Sequence, residues 1–227
     1  MVGDAQGEGR LQARPAAEAA KGAPVGLRPL PPTTARDGYL YVPASYRAER
    51  PAPLALLLHG AGESALDGLA LLRAQADAAE LILLAPASHD YTWDLISGRH
   101  YGPDVAGIDR ALEHVFYTYR VDPGRVAVGG YSDGASYALS LGIANGDLFT
   151  HVLAFSPGFL APPGREGSPR IFVSHGTRDG WLPIDRCSRR VVPALEGAGY
   201  EVRYREFEGG HVVPSEISDE AVGWFTA

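Results

Sequence analysis

Val126-Ala127-Val128-Gly129-Gly130-Tyr131-Ser132-Asp133-Gly134-Ala135 decides how this chain is read. An apolar run leads into a serine with small residues on both sides, and helix-like spacing follows. Small neighbours permit a sharp strand-to-helix turn that lifts the serine hydroxyl clear of the backbone above a helix N-terminus. The Gly-x-Ser-x-Gly pattern by itself is weak in a chain with 28 glycines among 227 residues. A serine before a helix also reads as an N-cap. The partners of Ser132 decide between the two readings.

A serine hydroxyl is a poor nucleophile without an adjacent base. Downstream, Ile171-Phe172-Val173-Ser174 reads as a buried strand that runs into His175-Gly176-Thr177-Arg178-Asp179, a polar turn carrying an acid. Val202 to Phe207 alternates like a strand and is followed by Glu208-Gly209-Gly210-His211. The order Ser132, Asp179, His211 is that of the α/β-hydrolase triad, and each residue falls just past the C-terminal end of an expected strand, the edge where open α/β sheets gather functional groups. Asp185 is the rival acid, but it falls where the next helix should start and reads as a capping or surface residue. His59 and His175 precede glycines at strand ends and read as loop-orienting. His89, His100, His114 and His151 read as surface or packing residues.

A tetrahedral oxyanion needs two fixed N–H donors. One is expected from the backbone of Asp133, the residue after the nucleophile. The other is expected from Ala61, in the glycine-rich loop His59-Gly60-Ala61-Gly62 that follows the apolar strand Leu54 to Leu58. Trp93, Phe159, Trp181 and Leu182 lie on loops at the same edge and are the expected pocket walls.

Strands expected at residues 37–43, 54–58, 81–85, 126–128, 152–155, 171–174 and 202–207 alternate with helices expected at 65–79, 103–117, 133–144, 186–198 and 215–225. That alternation implies an α/β class, a mostly parallel, doubly wound sheet flanked by helices. Residues 1–25, rich in Ala, Gly, Pro and Arg without a sustained period, read as a flexible tail before a single catalytic domain over 26–227. The link between the strands ending at Phe155 and starting at Ile171 is too short for a lid domain, so an open site is expected.

Composition narrows the classes. With 45% hydrophobic and 21% charged residues the chain reads as an ordinary globular domain, and a net charge of −7 argues against a general nucleic-acid binder. Lys21 is the only lysine. A single cysteine, Cys187, cannot form an intrachain disulfide and reads as a small buried hydrophobe. No metal-ligand spacing, phosphate loop or dinucleotide fingerprint is present, so no metal and no cofactor are expected. No apolar run has the length of a membrane span, and no signal peptide is seen at the start, which makes a cytoplasmic location the default expectation, or a secreted one if a signal has been removed.

These stretches, with Asp37-Gly38-Tyr39-Leu40-Tyr41-Val42-Pro43 and Leu58-His59-Gly60-Ala61-Gly62-Glu63, resemble the phospholipase/carboxylesterase-type α/β-hydrolases, relatives of acyl-protein thioesterases, feruloyl esterases and poly(hydroxybutyrate) depolymerase-like esterases. The resemblance covers about residues 25 to 227. It implies a cofactor-free serine esterase acting on small-molecule or polymeric esters, with lysophospholipase, thioesterase or a non-catalytic binding module as alternatives. Two departures from the family pattern stand out. Trp181-Leu182-Pro183 follows Asp179-Gly180 where relatives often have Pro-Val-Val-Pro after the acid, and Asp133 stands where thioesterase relatives often have Gln.

Overall fold

Alternation of apolar side chains between two faces organises the molecule. The computed structural model describes residues 9–17, 23–31 and 36–227. In chain order its elements are β1 (Gly26–Pro29), β2 (Tyr39–Val42), β3 (Ala52–Leu58), α1 (Ala65–Ala70), β4 (Ile82–Ala85), α2 (Asp94–Ser97), α3 (Pro103–Thr118) and β5 (Val121–Tyr131). They continue with α4 (Asp133–Ala144), β6 (His151–Phe155), β7 (Arg170–Gly176), a 3₁₀ turn (Ile184–Arg186), α5 (Ser188–Gly197), β8 (Val202–Phe207) and α6 (Ser215–Thr226). The strands form one eight-stranded sheet in the order β1-β2-β4-β3-β5-β6-β7-β8. β1 and β2 are antiparallel, and the strands from β4 to β8 run parallel.

Parallel strands covered on both faces must be apolar on both. In β3, Leu54, Leu56 and Leu58 face one core cluster with α3, α4 and α5, whereas Ala55 and Leu57 face a second with α1 and α6. All five are fully buried. The expected strands and helices are present, with three differences. The helix expected over 65–79 is regular only to Ala70. Beyond it, Leu71, Leu72 and Gln75 donate to carbonyls three residues back, so the chain continues as turns. Such turns repeat about every three residues, which keeps Leu69, Leu72 and Ala76 in the core. β5 is longer than the apolar run 126–128. Two elements escaped the reading, β1 and the short α2.

The expected flexible tail over 1–25 is corrected for residues 9–17, which strap onto the domain. Leu11 is fully buried. Its N–H donates to Asn145 Oδ1 (2.9 Å), and Asn145 Nδ2 donates to the Gly9 carbonyl (2.8 Å). The backbone N–H groups of Gln12 and Ala13 share Asp109 Oδ1, and Arg10 and Arg14 both pair with Asp147. One large apolar side chain among Gly, Ala, Pro, Gln and Arg gave no periodic signal. Of the rest of that tail, Ala23 packs against the core and the Pro24 carbonyl accepts from the Tyr119 hydroxyl (2.7 Å), while residues 1–8 and 18–22 lie outside the described residues.

His151, at the start of β6, is a packing residue. Its ring sits against Trp224 and Phe225 of α6 with centroids 4.9 and 5.1 Å away, and Nε2 has no hydrogen-bond partner among the described residues. Burial pushes its pKa down to about 4, from 6.5, and Arg170 adds to the effect. The folded state therefore keeps the ring neutral while the unfolded chain takes up a proton first. Stability is full above pH about 6.5 and is lost as pH falls toward 4. His59 and His175 are lowered by burial in the same direction. His151→Phe is expected to flatten, not abolish, the acid-side loss, by on the order of 2 kcal/mol, when Tm is followed from pH 7 to pH 4.

Candidate active site

β5 ends at Tyr131 and α4 begins at Asp133, so Ser132 alone carries the reversal, at φ 57° and ψ −118°. That left-handed backbone is costly for a non-glycine residue. It is held by the Ser132 N–H to the Phe155 carbonyl (3.0 Å) and by Ala135 and Ser136 N–H to the Ser132 carbonyl. The flanking glycines are dictated by contact. A Cβ on Gly134 would lie 2.2 Å from the Leu58 carbonyl oxygen, and one on Gly130 would lie 2.4 Å from Gly134. The turn is thus jammed against the end of β3. Ser132 makes no capping bond to its helix. The N-cap reading fails, and the hydroxyl lies 2.9 Å from His211 Nε2.

The acid and the histidine come from neighbouring strand ends that are laced together. Thr177 N–H donates to the Phe207 carbonyl and Arg178 N–H to the Gly209 carbonyl (2.9 and 2.8 Å). A Cβ on Gly176 would lie 2.2 Å from the Gly210 carbonyl oxygen, so only glycine allows this approach. His211 Nδ1 then meets Asp179 Oδ2 at 2.5 Å. Asp179 Oδ1 accepts the N–H groups of Trp181 and Leu182, both at 2.9 Å. Burial alone would raise the Asp179 pKa, but the Leu182 N–H and His211 outweigh it and hold the carboxyl below the usual range.

Two further histidines brace these loops. His175 Nε2 lies 2.8 Å from the Leu182 carbonyl and 3.2 Å from Asp179 Oδ2, while Nδ1 meets Ser188 Oγ at 2.6 Å. Burial keeps its pKa low, so a neutral ring with its proton on Nε2 satisfies every contact. His59 Nδ1 meets the Gly60 carbonyl (2.7 Å), and Nε2 accepts the Ser88 N–H (3.1 Å). These contacts fix the loop that carries Ala61. Among the described residues, neither the Ala61 N–H nor the Asp133 N–H is bonded to another protein group. The Asp133 carboxylate turns aside to accept from Thr92 Oγ1 (2.7 Å).

The expected pocket walls divide. Trp93 is corrected: it is fully buried, its ring against His59 and Tyr137 (centroids 4.9 and 5.3 Å), with its indole N–H donated to the His59 carbonyl (2.9 Å). A buried indole needs an acceptor for its N–H, and a loop carbonyl supplies it, so Trp93 supports the loop from behind. Phe159 (38% exposed) and Trp181 (84% exposed) lie on the loops that follow β6 and β7, with Leu182 half-buried beside Gly158. Asp185 pairs with Arg189 on the surface.

Sequence reasoning missed three features. Tyr131, the residue before Ser132, donates its hydroxyl to the His211 carbonyl (2.6 Å) and lays its ring against the imidazole, 4.7 Å between centroids. An aromatic beside the elbow serine was the available signal. Asp94 and Asp104 interlock, each carboxylate accepting the other's N–H, and Tyr137 donates to Asp94 Oδ1. They tie down the loop bearing Thr92 and Trp93, and burial pushes the Asp104 pKa up to about 6. Third, a groove bordered by His211 lies between the α1 segment and the start of α6. Among the described residues no cluster of His, Cys, Asp and Glu could hold a metal ion, and no helix is long and apolar enough to cross a membrane.

Gly134→Ala is expected to cost about 3 kcal/mol or more, because backbone must move to admit the methyl group. Thermal unfolding checks this.

No protein-family model and no curated protein matches the chain. Solved structures do. The esterase PE8 is 22% identical with a TM-score of 0.67, over 82% of this chain and 96% of that one. A Bacillus cereus carboxylesterase is 20% identical at TM-score 0.63, over 83% and 93%. An S-formylglutathione hydrolase from Staphylococcus aureus is 14% identical at TM-score 0.70, over 92% and 99%. Identity at this level speaks for architecture. With the parallel sheet, the elbow after β5 and the loops that follow β7 and β8, it identifies the chain as having the α/β-hydrolase fold.

Proposed function

We propose that this protein is a serine hydrolase that cleaves carboxylic esters, of short-chain alkyl or aryl type, through an acyl-enzyme. The observation that carries the reading is the unbroken hydrogen-bonded chain Ser132 Oγ–His211 Nε2 and His211 Nδ1–Asp179 Oδ2 at the C-terminal edge of the sheet. Ser132 Oγ attacks the ester carbon while His211 Nε2 takes its proton. Asp179 holds the proton on Nδ1 and stabilises the imidazolium. The oxyanion sits on the Ala61 and Asp133 N–H groups, which have no other acceptor among the described residues. His211 returns the proton to the leaving alcohol. Water, deprotonated by the same nitrogen, then releases the acid and restores Ser132. The cycle consumes the ester and water alone, so it calls for no cofactor.

The open rim supports small esters and leaves room for a polymeric one. Residues 156–169, between β6 and β7, carry no helix that could serve as a lid. Phe159 and Trp181, on the loops that follow β6 and β7, offer apolar surface.

Initial rates on p-nitrophenyl esters from acetate to palmitate test the reading. Turnover is expected to peak at short acyl chains. Ser132→Ala and His211→Ala are each expected to lower it by several orders of magnitude, because the triad acts as a unit. Near-normal turnover in either variant would sink the assignment. Asp179→Asn is expected to lower kcat by roughly 10³- to 10⁴-fold with KM little changed, since the amide leaves the imidazole in the wrong tautomer.

A further inference from the structure

The groove beside His211 has a volume of about 450 Å³. Leu71, Tyr131, Val212 and Val213 give it apolar surface, Gln75, Ser215 and Ser218 add neutral polar groups, and Glu63 and Asp67 are the acidic side chains that line it. No lysine or arginine does so among the described residues. The Glu63 carboxylate is pinned by the Gly60 N–H (2.8 Å). Asp67 closes the capping box of α1, accepting from Ser64 Oγ and N–H (2.6 and 2.8 Å), and those bonds hold its carboxyl below the usual range. Two anchored negative charges therefore flank a trough that is partly apolar and carries no cationic side chain among the described residues, in a protein whose net charge is −7.

The reaction says which half of the substrate lies there. The proton that leaves Ser132 travels through His211 Nε2 to the departing oxygen, so the alcohol must leave from the His211 side. The oxyanion donors belong to the β3 loop and the elbow, and the loops that carry the exposed Phe159 and Trp181 are left for the acyl half. Resting on the ester-hydrolase reading, we propose that the groove receives the alcohol half of the ester and that Glu63 and Asp67 select cationic alcohols over neutral isosteres and reject anionic ones. A trimethylammonium group fits such a site: its methyls pack on apolar walls while its charge is attracted by carboxylates that need not bond it directly.

The test compares the choline ester of acetic acid with 3,3-dimethylbutyl acetate, its uncharged carbon isostere, each rate normalised to hydroxide-catalysed hydrolysis. A kcat/KM ratio of about tenfold for the cation is expected, falling at high salt. Asp67→Asn is expected to reduce the ratio about threefold. Ala74→Lys, on an exposed wall of the groove, is expected to cancel or invert it. A second pair moves the charge to the acyl half, ethyl 4-(trimethylammonio)butanoate against ethyl 5,5-dimethylhexanoate, and its ratio is expected near one. A ratio of one on the alcohol pair, or one that Ala74→Lys does not alter, would overturn the proposal. So would a charge preference confined to the acyl pair, which would assign the groove to the acid. No turnover of any ester would overturn the ester-hydrolase reading, and the groove assignment with it.

Discussion

The contact between the Gly134 backbone and the end of β3 is the constraint on which the site depends. With no Cβ, Gly134 lets the first turn of α4 ride directly on the Leu58 and His59 carbonyls. That approach holds Ser132 in a left-handed backbone. The strain at Ser132 is borne by elements on three sides, namely the Phe155 carbonyl of β6, the first turn of α4 and the floor of β3. A single methyl group at Gly134 would push the Ser132 turn off the end of β3.

A second close approach does the same for the other two residues. Gly176 against Gly210 draws the ends of β7 and β8 together, so Asp179 and His211, 32 positions apart, share a 2.5 Å contact. The buried Asp179 carboxylate stays ionised because its oxygens are supplied with N–H donors from Trp181, Leu182 and His211. Around this centre, neutral histidines, the Asp94–Asp104 interlock and the Trp93 indole serve as supports. They satisfy buried polar groups that would otherwise weaken the loops.

Strand positions, the elbow and the order of the three residues were legible because each is a local signal. Near-continuous apolar runs mark doubly covered strands, and small residues around a serine mark a tight turn. The interrupted α1 was not legible, since turns and helix place the same leucines in the core. The strap at residues 9–17 was missed because it is held by long-range bonds to Asn145, Asp109 and Asp147. Trp93 was assigned to the pocket because an aromatic on an edge loop suits a wall, and its distance from the surface is not written in its neighbours.

The sequence by itself determined the class of fold, the turn at Ser132 and the order in which Asp179 and His211 follow it, because these depend on periodicity and on glycine at fixed offsets. The tertiary structure alone decided which aromatic faces solvent, how Tyr131 braces His211, and that Glu63 and Asp67 flank a groove beside it. Those relations join residues far apart in the chain, and their geometry is set by how α1, the elbow and the start of α6 pack around the sheet.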